Sequence, residues 1–242
     1  MILRLAGVSK RFGAVVVADN INLDVAQGEA LGIIGANGAG KSSLFNLITG
    51  VVTPDTGTIS LAGADVTKVS LRNRCVAGIG RSFQIPRPFE SLTVFENLLV
   101  AAQYGRDNGE IGATELCGSI LERTGLSQHA NTLAGKLTLL NRKRLEMARA
   151  LATQPNIVLL DEIAGGLTEA ECHELVEFIR QVNQEGVTIV WIEHVVHALM
   201  SVVSRLVVLE FGRKIADGEP NAVMADPAVR RSYLGIDDEA AA

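Results

Sequence analysis

The octet Gly35-Ala36-Asn37-Gly38-Ala39-Gly40-Lys41-Ser42 fits the pattern GxxxxGK[ST], whose chemistry is the cradling of phosphate. Its glycines let the backbone close round phosphate oxygens so that several N–H groups face them, and a helix starting there adds the positive end of its dipole. Lys41 would reach the β- and γ-phosphates and Ser42 a magnesium ion. About 120 residues later, Ile157-Val158-Leu159-Leu160 runs straight into Asp161-Glu162. Two carboxylates thus leave the carboxyl end of a buried strand, the edge at which open α/β sheets bind ligands. Asp161 suits a hard cation there and Glu162 the polarisation of an attacking water. Acids also favour helix N-termini, so this pair carries weight only beside the glycine loop. A third apolar run, residues 188–192, ends in Glu193-His194 and puts a titratable imidazole on the same edge, although a single histidine is more often packed or exposed. His197 and the Cys172-His173 pair lack the partners of a metal site.

Such groups need a sheet to carry them. Short apolar stretches at 2–8, 21–25, 30–34 and 57–61, bounded by turn residues, predict strands. After Lys41 the spacing turns helical (Leu44, Phe45, Leu47, Ile48) until Gly50, which places the glycine loop between a strand and a helix. Further on, strands at 157–160, 188–192 and 206–209 alternate with helices at 142–153, 169–185 and 194–203. That is the order of βαβ units round a parallel sheet. From about 85 to 135 the chain carries Pro86 and Pro88, then helical spacing with a polar break at 105–112, and reads as a helical insertion. Residues 237–242 are acidic and alanine-rich, the composition of a frayed end.

With 242 residues, 48% apolar and 20% charged, the chain has an ordinary globular composition and enough length for one large α/β domain. Disorder is excluded, and no apolar run approaches the ~18–20 residues of a spanning helix. The start, MILRLAGVSK, has no secretory h-region, so the expected location is the cytosol. Cys75, Cys117 and Cys172 are odd in number and without ligand spacing, which predicts buried thiols rather than disulfides or zinc. A net charge of −5 gives no general footprint for nucleic acid. The run Arg142-Lys143-Arg144 is expected to be a solvated helix face.

The glycine loop, Gln84, Asp161-Glu162 and His194 together resemble the nucleotide-binding subunit of ATP-binding cassette (ABC) transporters, over roughly residues 2–235. Within that superfamily the segments Gly78-Ile79-Gly80-Arg81-Ser82-Phe83-Gln84 and Leu92-Thr93-Val94-Phe95-Glu96-Asn97-Leu98, with the stretch from Asp226-Pro227 to Tyr233-Leu234-Gly235, resemble the ATPases of branched-chain amino-acid importers. The resemblance implies an α/β fold with a P-loop NTPase (RecA-like) core on a mainly parallel sheet, an N-terminal antiparallel β subdomain and an inserted α-helical subdomain. It implies one ABC ATPase domain over 1–242, in which 1–84 and 146–235 form the core, about 85–145 the helical subdomain and 236–242 a tail. ATP and Mg²⁺ are the implied cofactors. Phe12 and Val17 would lie against adenine, residues 35–42 with Ser43 would hold the phosphates, and Ser42, Gln84 and Asp161 would serve the metal. Glu162, His194, Lys41 and Gln84 would be catalytic, with His194 at the γ-phosphate. The implied partners are a second ATPase subunit, transmembrane permease subunits docked on the helical subdomain and, indirectly, a solute-binding protein, at the cytoplasmic face of the membrane. A soluble repair or translation ATPase would need a coiled-coil insertion or a second cassette, and the chain has neither.

The chain departs from the family where a Leu-Ser-Gly-Gly-Gln-like signature should precede residues 142–151. There it has Leu137-Thr138-Leu139-Leu140-Asn141. Thr138 keeps a hydroxyl, but Leu140 replaces a glycine that approaches the γ-phosphate and is expected to obstruct it, and Asn141 replaces glutamine. Ile163 stands in place of proline and Thr168 in place of Asp or Asn. In the family this signature completes the partner's site, while the residues serving the chain's own site are intact. That pattern predicts an asymmetric heterodimer. A regulatory subunit that binds ATP without turnover is the alternative.

Overall fold

In the computed structural model, which describes residues 1–105 and 109–231, the chain opens with strands β1 (Leu3–Phe12) and β2 (Val15–Val25), paired antiparallel. Leu3, Leu5 and Val8 on β1 and Ile21, Leu23 and Val25 on β2 are buried, as a sheet with one wet face requires. Strand β3 (Ala30–Ile34) is buried at every residue and leads through the glycine loop into helix α1 (Lys41–Thr49). Gly50 ends α1 in the left-handed conformation, at φ 79°, the C-terminal stop expected of it. Strands β4 (Thr56–Leu61) and β5 (Ala64–Asp65) complete a four-stranded sheet in the order β2-β1-β4-β5.

Helix α2 (Leu71–Val76) and strand β6 (Ile79–Arg81) follow, then the helices α3 (Val94–Tyr104), α4 (Gly109–Arg123) and α5 (Leu139–Ala152). Strand β7 (Ile157–Asp161), helix α6 (Glu169–Gln184), strand β8 (Thr188–Ile192), helix α7 (Val196–Met200) and strands β9 (Arg205–Glu210) and β10 (Arg213–Gly218) come next, with α8 (Pro220–Ala225) and α9 (Pro227–Val229) last. The second sheet runs β10-β9-β3-β8-β7-β6, with every neighbouring pair parallel except β10 with β9. The α/β fold with a mainly parallel sheet is therefore as expected, and an antiparallel sheet precedes it.

Side chains of the central sheet alternate between two apolar cores. Leu31, Ile33, Leu159, Val190, Ile192 and Val207 meet α1 and the antiparallel sheet, while Ile34, Val158, Leu160, Ile189, Trp191 and Val208 meet α5, α6 and the other helices. Because β3, β7 and β8 are parallel neighbours, the turns that follow them emerge at one edge. Residues 35–42, Asp161-Glu162 and Glu193-His194 are brought together for that reason.

Several expected boundaries move. The helix expected from 142 starts at Leu139, because the Thr138 hydroxyl caps it by accepting from the Asn141 N–H at 3.4 Å. The helix expected over 194–203 contracts to α7. The polar break at 105–112 is partly helical, since α4 begins at Gly109; residues 106–108, like the tail at 237–242, lie outside the described residues. The basic run is not a solvated face. Arg142 donates to the carbonyls of Gly135 (2.7 Å) and Leu137 (3.1 Å), Arg144 pairs with Glu174 at 2.7 Å, and Lys143 is buried. All three cysteines are free thiols, Cys117 and Cys172 buried and Cys75 partly so.

Candidate functional site

The glycine loop has no room for side chains at two points. A Cβ on Gly35 would stand 2.2 Å from the Leu209 carbonyl oxygen and one on Gly40 2.4 Å from that of Val17, closer than atoms pack. Both residues also have positive φ, 156° and 103°, which favours glycine. Lys41, at the first position of α1, turns back so that Nζ donates to the carbonyls of Gly35 (2.7 Å) and Ala36 (3.1 Å). Burial lowers its pKa, against the opposing pull of Glu162 and Asp161. Ala36, Asn37, Gly38 and Ser42 are exposed, Ser43 half-buried and Ala39 buried.

Glu162 is the centre of the second cluster. Its backbone is left-handed, at φ 47°, a conformation that is costly for a side chain and accumulates at functional sites. The strand edge holds it, since its N–H donates to the Ile192 carbonyl at 2.8 Å. Gln84 Nε2 donates to Glu162 Oε2 at 2.6 Å, and His194 Nε2 lies 2.9 Å from Oε1. Gln84, Glu162 and His194, far apart in sequence, therefore form one hydrogen-bonded trio.

Two partners of these residues escaped sequence reasoning. Arg81 Nη2 pairs with Asp161 Oδ2 at 2.9 Å, and its Nη1 donates to Asn46 Oδ1 on α1 at 2.7 Å. The buried Glu193 carboxylate accepts the N–H groups of Ala164 and His194, both at 3.0 Å, and so ties the turn after β7 to the turn after β8. Burial lowers the pKa of the nearby Lys143, while Glu193 and then Glu162 pull it up. The only signal for Arg81 was its place beside Gln84, and Glu193 gave none beyond preceding His194.

Phe12 stands about half exposed at the β1–β2 turn with the Lys10 ammonium 5.4 Å from its ring centre, and Val17 contributes its carbonyl against Gly40. At the start of α5, Leu140 is turned into the core at 8% exposure, whereas Leu139 is the outward leucine at 43%. This corrects the expectation for Leu140, whose side chain packs inward. Asn141 Nδ2 lies 3.1 Å from His129 Nε2. Ile163 is buried, and Thr168 caps α6 in a reciprocal box with Glu171. Between α1 and α2 on one side and α3 and α5 on the other lies an apolar groove of about 380 Å³ lined by Val51, Leu71, Phe83, Tyr104 and Arg81 among others. Among the described residues no helix is long and apolar enough to cross a membrane, and no group of three or more His, Cys, Asp or Glu is placed to hold a metal.

The chain is similar to known proteins over almost its whole length. Residues 18–165 match the ABC transporter family, and residues 213–239 match the family described as branched-chain amino acid ATP-binding cassette transporter. The chain is 36% identical to the high-affinity branched-chain amino acid transport ATP-binding protein LivG of Escherichia coli (strain K12), over 97% of this chain and 98% of that protein. It is 32% identical, over 97% of both chains, to the lipopolysaccharide export system ATP-binding protein LptB of Haemophilus influenzae. The ADP conformation of MJ1267, an ATP-binding cassette of an ABC transporter, superposes with a TM-score of 0.88 at 31% identity, over 97% of this chain and 99% of that one. With the family match, the identity over nearly the whole chain and the fold in agreement, the chain belongs to the ABC transporter family, as one of its ATP-binding ATPase subunits.

Proposed function

We propose that the chain hydrolyses ATP at the cytoplasmic face of the membrane to energise uptake of branched-chain amino acids or a related small polar solute through separate permease subunits. The single observation that carries the catalytic assignment is the Glu162 carboxylate held between Gln84 and His194. So held, it can accept a proton from a water aimed at the γ-phosphate, while backbone N–H groups of residues 35–43 and the Lys41 ammonium take up charge on the phosphates. His194 serves the γ-phosphate side of the trio. Phe12 and Val17 are assigned to the base. A hydroxyl (Ser42), a carboxylate (Asp161) and an amide oxygen (Gln84) form a hard-oxygen set suited to Mg²⁺ held mainly through nucleotide phosphates. When bound, that ion would neutralise phosphate charge.

The helical subdomain, about 85–145, is assigned to the permease, and the apolar groove at its border to a helix of that partner. The likeness to LivG supports import of amino acids, and the export name of LptB shows that relatives of similar identity serve other cargo. For the second ATPase subunit we infer a different chain. Leu139 stands outward and Asn141 is engaged by His129 in the segment that would be lent to the partner, whereas the residues assigned to the chain's own site, Lys41, Ser42, Gln84, Asp161, Glu162 and His194, are all present.

The test is ATP turnover by the chain alone, then with its co-purifying ATPase and permease subunits, each with Glu162→Gln. Expected are tight ATP binding alone, turnover only in the complex, and loss of at least about a hundredfold in the variant. Turnover by the chain alone would end the heterodimer reading. Turnover in the complex that survives Glu162→Gln would make this chain the regulatory subunit.

A further inference from the structure

Arg81 is the only charged side chain hydrogen-bonded to Asp161 among the described residues. Both are nearly dry, their side chains 12% and 9% exposed. The guanidinium is fixed on every side: Nη2 on Asp161, Nη1 on Asn46, and its carbon 5.6 and 5.2 Å from the ring centres of Phe45 and Phe83, while Nε is buried without a partner.

We propose that Arg81 is the resident cation of the Asp161 carboxylate and sets how strongly that carboxylate draws Mg²⁺. The inference rests on the reading of Asp161 as the magnesium-side carboxylate. Arg81 holds Oδ2, and no described residue donates a side-chain hydrogen bond to Oδ1. The guanidinium's positive charge is held in place by Asp161, Asn46 and the two phenylalanine rings. A divalent cation drawn to the free oxygen therefore meets a fixed positive charge on the same carboxylate. At the effective dielectric of about 20 typical of such sites, like charges a few ångströms apart repel by enough to change binding about tenfold or more. Solvent and salt screen a pair this buried only weakly. Arg81 thus weakens the cation's hold, whereas a purely structural arginine could only strengthen it by keeping Asp161 in place. The two roles predict opposite signs. Arg81 and Phe83 also line the apolar groove, so whatever seats there touches the residue that tempers Asp161.

The experiment is Mg²⁺ titration of the binding of a fluorescent ATP analogue to the full chain, with a parallel measurement in EDTA. In EDTA, wild type, Arg81→Met and Arg81→Lys should agree within about twofold, because the loop backbone binds the phosphates. The half-saturating Mg²⁺ concentration should fall about tenfold in Arg81→Met and stay near wild type in Arg81→Lys, which keeps the charge. Arg81→Gln, which keeps a hydrogen-bond donor for Asp161 but no charge, should lower it about tenfold as well and serves if Arg81→Met does not fold. Asp161→Asn should raise it. An unchanged or raised value in Arg81→Met, with Asp161→Asn raised, overturns the Arg81 inference alone. An unchanged value in Asp161→Asn removes the reading of Asp161 and this inference with it.

Discussion

At the scale of single residues, the site combines groups that pull against one another. Lys41 is an ammonium with 6% exposure whose partners are two carbonyl oxygens of its own loop. Burial lowers its pKa from the ordinary 10.5, and the attraction of Glu162 and Asp161 offsets part of that. The sign for stability follows. The folded chain releases this proton at a lower pH than the unfolded chain, so between the lowered value and 10.5 the unfolded state binds more protons and stability rises with pH. Lys41→Met lacks that proton. Urea midpoints of wild type and Lys41→Met, compared from pH 8 to about 10.5, should therefore diverge in favour of wild type as pH rises. A constant difference would show that the Lys41 ammonium is as well solvated in the fold as outside it.

At the scale of elements, the placement of the loop depends on how α1 is anchored at its far end. The buried Arg74 donates to the carbonyls of Leu47 and Ile48 at 2.7 and 2.8 Å, and to those of Val69 and Thr67 at 3.0 and 2.9 Å. Two of these are terminal carbonyls of α1; that of Leu47 also accepts the Gly50 N–H at 3.3 Å, whereas that of Ile48 has no other donor among the described residues. Arg74→Met would strand several buried acceptors at about 1–3 kcal/mol each, so a loss of at least about 3 kcal/mol is expected by urea denaturation. A loss below about 1 kcal/mol would mean that water reaches those carbonyls. Nothing in the local sequence marks Arg74 for this work, which shows where legibility stopped. Strands β3, β7 and β8 and helices α1 and α6 were readable because each carries a regular apolar period or an uninterrupted apolar run. Strand β6 is three residues with a glycine and an arginine, α2 has only Arg74 buried, and β10 is a partly exposed edge, so none shows a period. The gathering of Lys41, Asp161 and Glu162 at one sheet edge was readable because each motif is local and follows a parallel strand. Arg81 with Asp161, 80 positions apart, and Glu193 with Ala164, 29 apart, are contacts that only the sheet order creates.

At the scale of the whole molecule, the groove between the P-loop side and the helices is where a partner would feel the site. Val51, Leu71, Phe83 and Tyr104 around it are 55%, 51%, 48% and 69% exposed. Large apolar side chains gathered at one exposed place mark an interaction surface more than a packing accident. Leu71 separates docking from folding, because it is the first residue of α2, after the Ser70 cap. An acid there complements the helix dipole and should leave stability within about 0.5 kcal/mol. Leu71→Asp should nevertheless place a charge where an apolar partner helix must seat, and burying it unpaired costs more than such a contact supplies. In cells that hold the permease subunits, tagged wild-type chain should float with the membranes while Leu71→Asp stays in the soluble fraction. Phe211→Ser, at a residue 79% exposed but outside the groove, should float like wild type. If Leu71→Asp also floats, the partner seats elsewhere, and Arg81 and Phe83 lose their route from the membrane subunits to Asp161.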